Sequence, residues 1–303
     1  MTIAAGLIVS RFVHYLALSI LFGAALFPFY GFADPQETQR VSTWLRALLL
    51  GSALLALLSG ISWFVFTTAG MSGSLSGVTD ATVLSTVIRD TDFGRVWVLR
   101  LLLAAGLVLL LLPARVTPPR FYAVLFGSLI LLASIALTGH AGSDDSAAGL
   151  HIIADAFHLV ASGVWVGALV VLARLVTIVV RQSRDDDLKA LHHALEQFSG
   201  IGTLVVATLI LTGMLNPGFL SSFTTPYGQI LLVKLAMFVA MLLLAAANRF
   251  WLTPWLSTTL DSMSGLKAAV AALRLSLLAE AALAILIMVA VAWLGTLSPL
   301  GVE

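Results

Sequence analysis

The sequence contains no cysteine, and only 10% of its 303 residues are charged. The absence of cysteine excludes disulfide bonds, thiolate nucleophiles and metal sites built on thiolate sulfur. The shortage of charge excludes an ordinary soluble domain, in which about 25% of residues are charged. A long polar interval is also missing, since the longest, roughly residues 71–92, is too short for a nucleotide-hydrolysing domain. We therefore expect a membrane protein that does not itself hydrolyse ATP.

Apolar residues make up 60% of the chain and form eight segments that suit the ~20 residues of a membrane-spanning helix. The sequence thus predicts an all-α, polytopic membrane protein with spans at roughly 4–30, 44–70, 93–112, 120–138, 151–175, 199–216, 229–252 and 268–297. No basic stretch precedes the first segment, so we expect a retained span and not a cleaved signal peptide. Thr91 or Asp92 is expected to cap the third helix.

The cations predict the orientation of these spans. Eleven of the sixteen Lys and Arg residues lie in or beside the first, third, fifth and seventh connectors. Such residues collect on the cytoplasmic side of membrane proteins. Both termini are therefore predicted to face the periplasm of a bacterial inner membrane. The surroundings are membrane lipid, and no nucleic-acid partner is expected.

Three short patterns occur twice in the same order: residues 93–101 and 227–235, His14 and His158 each followed nine residues later by Gly-Ala, and Ser59-Gly60 and Thr212-Gly213. This predicts two parallel four-helix repeats, 1–138 and 139–303, related by an axis along the membrane normal. Each repeat then contributes one intramembrane His and one intramembrane cation.

Histidines within the second half point to a metal site. His151, Asp155 and His158 are spaced i, i+4 and i+7, so they share one face of a helix. Imidazole suits copper, zinc, iron and nickel, and a carboxylate one turn away can orient a ligating ring. We interpret His14, His140, His151 and His158 as candidate metal ligands that converge beneath the outer leaflet.

Charged side chains inside the spans are the second functional signal. A cation at mid-helix costs ~2.5–3.5 kcal/mol, so such residues usually face the bundle interior and mark a site or a pathway. The candidates that would pair with or orient the ligands are Arg11, Asp155, Arg100, Lys234 and Glu280. The alternative is purely structural pairing, for example of Arg11 or Arg100 with Asp155 or Glu280.

Small residues and methionines carry weaker signals. Gly163 and Gly167, with Gly23 and Ala24 at the matching place, predict close helix packing. Met71 and Met214, near the outer ends of their helices, are possible thioether ligands for Cu(I), although methionine is common in apolar helices.

Several stretches of the chain resemble the copper resistance protein D family of bacterial inner-membrane proteins: residues 11–15, 21–23, 90–97 with Arg100, 138–141, 158–167, 227–228 with Lys234, and 248–249. The resemblance implies eight spans and a role in copper handling, usually described as movement of copper from periplasm to cytoplasm. It also implies a small periplasmic copper-binding partner of the CopC type, which we expect to be a separate chain. No enzymatic activity is expected.

Two other functions stay open. A b-type haem held between His14 and His158 would make the chain a redox protein, with Arg11, Arg100 and Lys234 pairing the propionates. A membrane anchor or assembly factor would use the same polar residues only to hold the bundle together. Copper transport accounts for the imidazoles directly and is the reading that we favour.

Overall fold

The computed structural model describes residues 2–33, 35–138, 148–182, 184–215, 225–262 and 265–297. These residues form long helices joined by short turns, and the described ranges contain no strand. The long helices are α1 (Ile3–Leu26), α3 (Pro35–Ser72), α5 (Asp92–Leu111), α6 (Pro118–Ala133), α7 (Ala148–Gln182), α8 (Asp185–Met214), α9 (Pro226–Ala247) and α11 (Leu266–Leu294). The shorter elements are α2 (Pro28–Gly31), α4 (Ala81–Asp90), α10 (Thr253–Ser262), two 3₁₀ turns (Leu75–Thr79 and Ser134–Thr138) and a π-helical turn (Asn248–Leu252).

Eight helical stretches within the described residues are long and apolar enough to cross a bilayer, which confirms the predicted number. Their outward faces are strongly apolar: Leu99, Leu204 and Leu275 expose 68%, 70% and 71% of their surface. So much exposed apolar surface belongs against lipid, since monomeric soluble proteins rarely show it. The chain is thus a multi-pass membrane protein. The periplasmic termini and the twofold repeat stay predictions.

Several helical regions exceed what the hydropathy pattern predicted, and α8 and α4 show the reason most clearly. The span expected at 199–216 belongs to α8, which begins at Asp185. Acidic residues in the first turn of α8 complement the helix dipole and extend the helix beyond its apolar part. In the polar interval 71–92, for which no helix was predicted, α4 forms behind an N-cap. The Thr82 N–H donates to Asp80 Oδ1 at 2.8 Å and so stabilises its start.

The same N-cap recurs at the two segments that share a sequence pattern. The Gly94 N–H donates to Thr91 Oγ1 at 3.0 Å at the start of α5, which confirms Thr91 as a cap. The Gly228 N–H donates to Thr225 Oγ1 at 3.1 Å at the start of α9. A threonine hydroxyl satisfies one otherwise unpaired helix N–H at each place. The cap fixes where each helix begins, and therefore the depth of the cation that follows.

Helices α1 and α7 form the centre of the bundle, and their closest approach is at glycine. A Cβ added to Gly23 would overlap the backbone of Gly163 and Gly167, and one added to Gly167 would overlap Gly23. The predicted close packing is confirmed. Helix α1 also packs against α3, α6 and α11, and α7 against α6, α8 and α11. Because His14 and His158 each lie nine residues before a crossing glycine, each is about 13–14 Å along its helix from the crossing.

Candidate functional site

His14 is sealed between α1, α3 and α5, and both of its ring nitrogens are engaged. Nδ1 lies 3.0 Å from the Ala56 carbonyl oxygen and 3.1 Å from Ser59 Oγ, and Arg100 Nη2 lies 2.9 Å from Nε2. Because a carbonyl oxygen only accepts, Nδ1 donates and the neutral ring accepts from the guanidinium through Nε2. Arg100, rather than a carboxylate, thus supplies the polar partner of His14.

Tryptophans fill the remaining space around this cluster. The His14 ring centre lies 5.7 Å from that of Trp63 and 5.8 Å from that of Trp97. The Arg100 guanidinium stacks over Trp97 at 4.5 Å, and the Trp97 indole donates to the Gly60 carbonyl oxygen at 2.9 Å. His14 is 3% exposed and Arg100 4%. The cluster around His14 is therefore closely packed and almost inaccessible to solvent. The cation–π contact with Trp97 helps to compensate the buried charge of Arg100.

His158 occupies a comparable place among α7, α8 and α9. Its Nδ1 lies 2.9 Å from Thr212 Oγ1, and the Thr212 hydroxyl donates to the Thr208 carbonyl oxygen at 2.6 Å. The hydroxyl oxygen therefore accepts from Nδ1–H, and the Nε2 of a neutral ring carries the lone pair that a metal ion would use. Lys234 lies within electrostatic reach of both His158 and Asp155.

A cavity of about 340 Å³ opens beside His158. It is lined by α7, α8, α9 and α11, by Tyr15 and Ser19 of α1 and by Leu132 of α6. Its polar and sulfur-bearing lining residues include Asp155, His158, Thr212, Tyr227, Lys234, Met214, Met241 and Met288. A concave, largely apolar space with a few convergent polar groups is the usual form of a small-ligand site. We call this space the His158 cavity.

One substitution between the matched segments contributes to the contrast between a sealed cluster and an open one. Trp97 stands three residues before Arg100, and Leu231 stands three residues before Lys234. Trp97 is fully buried against His14, whereas Leu231 lines the His158 cavity. The smaller leucine leaves space that the indole fills in the first half. Gly60 and Gly213 face the two imidazoles in the same manner, each with a ring Cε1 as a neighbour.

The remaining predicted ligands are spread over several places. His151 lies in the first turn of α7 on the same face as Asp155 and His158, but it does not line the His158 cavity. His140 lies outside the described residues. No group of three His, Asp or Glu side chains close enough to hold a metal ion occurs within the described ranges. The structure thus brings Asp155, His158 and Lys234 together, whereas His14 lies in a separate cluster with Arg100.

Arg11 and Glu280 contact groups other than the ion-pair partners that the structural alternative proposed for them. Arg11 donates to the Gly295 carbonyl oxygen and lies over Trp63 at 5.1 Å. Glu280 accepts from the Asn248 amide, and neither residue lines the His158 cavity. Asn248 and Trp165 belong to stretches that carried the family resemblance, but no role in a site was predicted for either residue. The repeated Ser59-Gly60 and Thr212-Gly213 pattern was the available signal for the two His partners, because both hydroxyls contact the imidazoles.

Comparison with known proteins shows which family the chain belongs to. Residues 1–150 match the family described as copper resistance protein D-like, N-terminal domain, and residues 192–294 match copper resistance protein D. Copper resistance protein D of Pseudomonas syringae pv. tomato is 32% identical over 300 residues, which cover 95% of each chain. The chain belongs to the copper resistance protein D family. As a member of that family, it is a membrane protein of copper resistance and transport.

Two further relatives widen the family. Inner membrane protein YebZ of Escherichia coli strain K12 is 28% identical over 253 residues, which cover 80% of this chain and 83% of YebZ. Copper transport protein CutJ of Bacillus subtilis strain 168 is 29% identical over 257 residues, which cover 80% of this chain and 46% of CutJ. No solved structure matches the chain. The copper resistance protein D family thus includes proteins named for the inner membrane and for copper transport.

Proposed function

We propose that this chain moves copper ions across the inner membrane from the periplasm toward the cytoplasm and that the His158 cavity is the site where the ion is held. The observation that carries the proposal is the contrast between the two histidines. His14 has both nitrogens engaged in a sealed cluster, whereas His158 lines a cavity with its Nε2 lone pair available.

The chemistry of the cavity lining suits copper. Imidazole nitrogen and thioether sulfur are ligands that copper accepts, and thioether favours Cu(I). Met241 and Met288 are 5% and 8% exposed and line the same cavity as His158. Met214 lines it from the end of α8, where the sequence had already suggested a thioether ligand.

Lys234 has a role in this proposal in spite of its charge. Its ammonium lies within electrostatic reach of Asp155, so it balances the carboxylate while the cavity is empty. An entering metal cation would neutralise the Asp155 carboxylate instead, and Lys234 would then separate from it. The half-buried Asp155 carboxylate is thereby never left without a neighbouring positive charge, which would be costly in a bilayer.

The entry route follows from the predicted orientation. His151 lies on the same face of α7 as Asp155 and His158, one turn before the carboxylate. We propose that His140 and His151 receive copper at the periplasmic mouth and pass it to His158. The donor would be a separate periplasmic copper-binding protein of the CopC type.

The geometry gives less support to a b-type haem between His14 and His158. Axial ligation would need an imidazole nitrogen of His14, but Nδ1 and Nε2 are both hydrogen-bonded. Ligation through Nε2 would displace Arg100 and leave a guanidinium that is 4% exposed without its imidazole. Copper needs no such rearrangement at His158.

The proposal is tested in liposomes that contain the purified chain and a copper-sensing dye. His158→Ala is expected to lower both bound copper and the rate of copper uptake at least tenfold, because it removes the nitrogen ligand. His193→Ala, on the cytoplasmic part of α8, is the matched control and is expected to behave as wild type. Cu²⁺ and ascorbate-reduced Cu⁺ are supplied in parallel runs. Unchanged uptake by His158→Ala, or no uptake by wild type of either ion, would overturn the proposal.

A further inference from the structure

A second cavity lies in the same helices as the His158 cavity. It has a volume of about 250 Å³ and is lined by α7, α8, α9 and α11 together with the π-helical turn. Among its lining residues are Trp165, Thr203, Asn248, Arg249 and Glu280. We call it the Glu280 cavity.

The two cavities are stacked along the axis of the bundle. On α9 and the turn after it, Lys234, Met241 and Asn248 follow one another at intervals of seven residues, so they share one face. Lys234 lines the His158 cavity and Asn248 the Glu280 cavity, about 20 Å apart at the rise of a helix. On α11, Glu280 and Met288 line the two cavities in the same way, about 12 Å apart.

Trp165 is the residue that the linings of the two cavities share. It is 3% exposed, and its ring meets the edge of Phe238 at a centroid distance of 6.2 Å. His158 lies seven residues earlier on the same face of α7, about 10 Å away along the helix axis. An ion that leaves His158 for the cytoplasmic side therefore meets this indole first.

Below Trp165 the cavity presents two oxygen-bearing side chains, and one of their oxygen atoms lacks a partner in the described part of the chain. The Glu280 carboxylate is 1% exposed and accepts from the Asn248 Nδ2 amide. Asn248 is 9% exposed, and its Oδ1 has no hydrogen-bond partner in the part of the chain that the structure describes. A buried acceptor without a donor costs ~1–3 kcal/mol. Such a cost persists most readily where a ligand is bound.

The backbone at this place is also irregular. Asn248 begins the π-helical turn Asn248–Leu252 between α9 and α10. Single π-helical turns inside helices are uncommon and are frequent at functional sites. The turn carries Asn248 and Arg249 into the lining of the Glu280 cavity, and Arg249 is fixed there by the Ser199 carbonyl oxygen at 3.0 Å.

We infer that Glu280 and Asn248 form a second cation site on the copper route and that Trp165 is the partition between it and the His158 cavity. This inference rests on the proposed transport function. Carboxylate and amide oxygens bind copper, especially Cu(I), more weakly than imidazole and thioether do. A weak second site after a strong first one lets the ion move on, because conduction needs binding that is also easily reversed.

The decisive variant is Glu280→Gln, which removes the charge and keeps a carbonyl oxygen to accept from Asn248. Copper bound at the His158 cavity is expected to stay within twofold of wild type, while uptake into liposomes falls at least tenfold. Glu280→Asp restores part of the uptake, since it returns the carboxylate. Glu196→Gln is the matched control, because that side chain is 56% exposed on α8 and lies outside both cavities.

The outcomes separate this inference from the proposed function. Wild-type uptake by Glu280→Gln would overturn the second site and leave transport through His158 standing. Loss of bound copper together with uptake in Glu280→Gln would also overturn it, because one site would then explain both. Absence of uptake by the wild type would defeat the proposed function itself.

Trp165→Ala tests the partition independently. Joining the two cavities is expected to raise uptake at least threefold with bound copper retained, and Trp165→Phe is expected to stay near wild type. Unchanged or slower uptake by Trp165→Ala with copper still bound would contradict a partition at this residue.

Discussion

Replacing each of the two matched histidines by alanine should have opposite consequences. His14→Ala removes the imidazole that accepts from Arg100, whose Nε and Nη1 already lack partners among the described residues. The guanidinium, which is 4% exposed, then loses its hydrogen-bond acceptor and keeps only its cation–π contact with Trp97. Removing the acceptor of a buried, charged hydrogen-bond donor costs about 3 kcal/mol or more. The free energy of unfolding should fall by about that amount.

His158→Ala removes one neutral hydrogen bond, from Nδ1 to Thr212 Oγ1. Such a bond contributes ~0.5–1.5 kcal/mol. The Thr212 hydroxyl keeps its bond to the Thr208 carbonyl oxygen, so no buried donor is orphaned. The ring already borders the His158 cavity, so truncation enlarges an existing space. The two variants should therefore differ in unfolding free energy by about 2 kcal/mol or more.

The assay is reversible unfolding of each variant in mixed detergent micelles, combined with copper uptake per folded molecule in liposomes. His14→Ala should be the less stable protein and should still transport, whereas His158→Ala should be stable and inactive. Equal destabilisation by both variants would refute the assignment of His158 to an open site. Loss of uptake by folded His14→Ala would place His14 on the copper route.

Three further predictions concern the helix crossing, the His158 cavity and the absence of haem. Gly167→Leu should lower the free energy of unfolding by ~1–3 kcal/mol, because a side chain there overlaps Gly23. The control Gly200→Leu has open space around it and should leave the free energy of unfolding unchanged. Equal unfolding curves for the two variants would contradict the prediction. Leu231→Trp should fill the His158 cavity and lower copper uptake several-fold without loss of stability. The control Leu232→Trp changes a side chain that is 44% exposed and should keep wild-type uptake. Normal uptake by Leu231→Trp would contradict the prediction. The visible spectrum of the purified protein should lack a Soret band, and reduced α and β peaks would instead favour haem.

Hydropathy and short repeats predicted much of the architecture. Eight apolar segments gave the number of spans, because a bilayer core demands the same length of helix from each. Thr91 was a predictable cap, since hydroxyl side chains pair with the first free N–H groups of a helix. Gly23 and Gly167 marked the helix crossing, because only small residues permit such an approach.

The site was only partly predictable. His158, Asp155 and Lys234 were identified because ionisable groups are costly within a span and therefore stand out. Helix α4 was not predicted, since ten residues with a polar face give no membrane signal. The second cavity was not predicted either, because Trp165, Asn248 and Glu280 belong to three different segments of the chain.

The sequence by itself determined the membrane class, the family and which side chains are unusual at their depth, because each of these follows from composition and local spacing. The tertiary structure alone decided which histidine faces a cavity. Trp97 fills the space beside His14, and Leu231 leaves it open beside His158. That outcome depends on the volumes contributed by several helices and on their rotation about their axes. Neither the volumes nor the rotations are determined by any single stretch of residues.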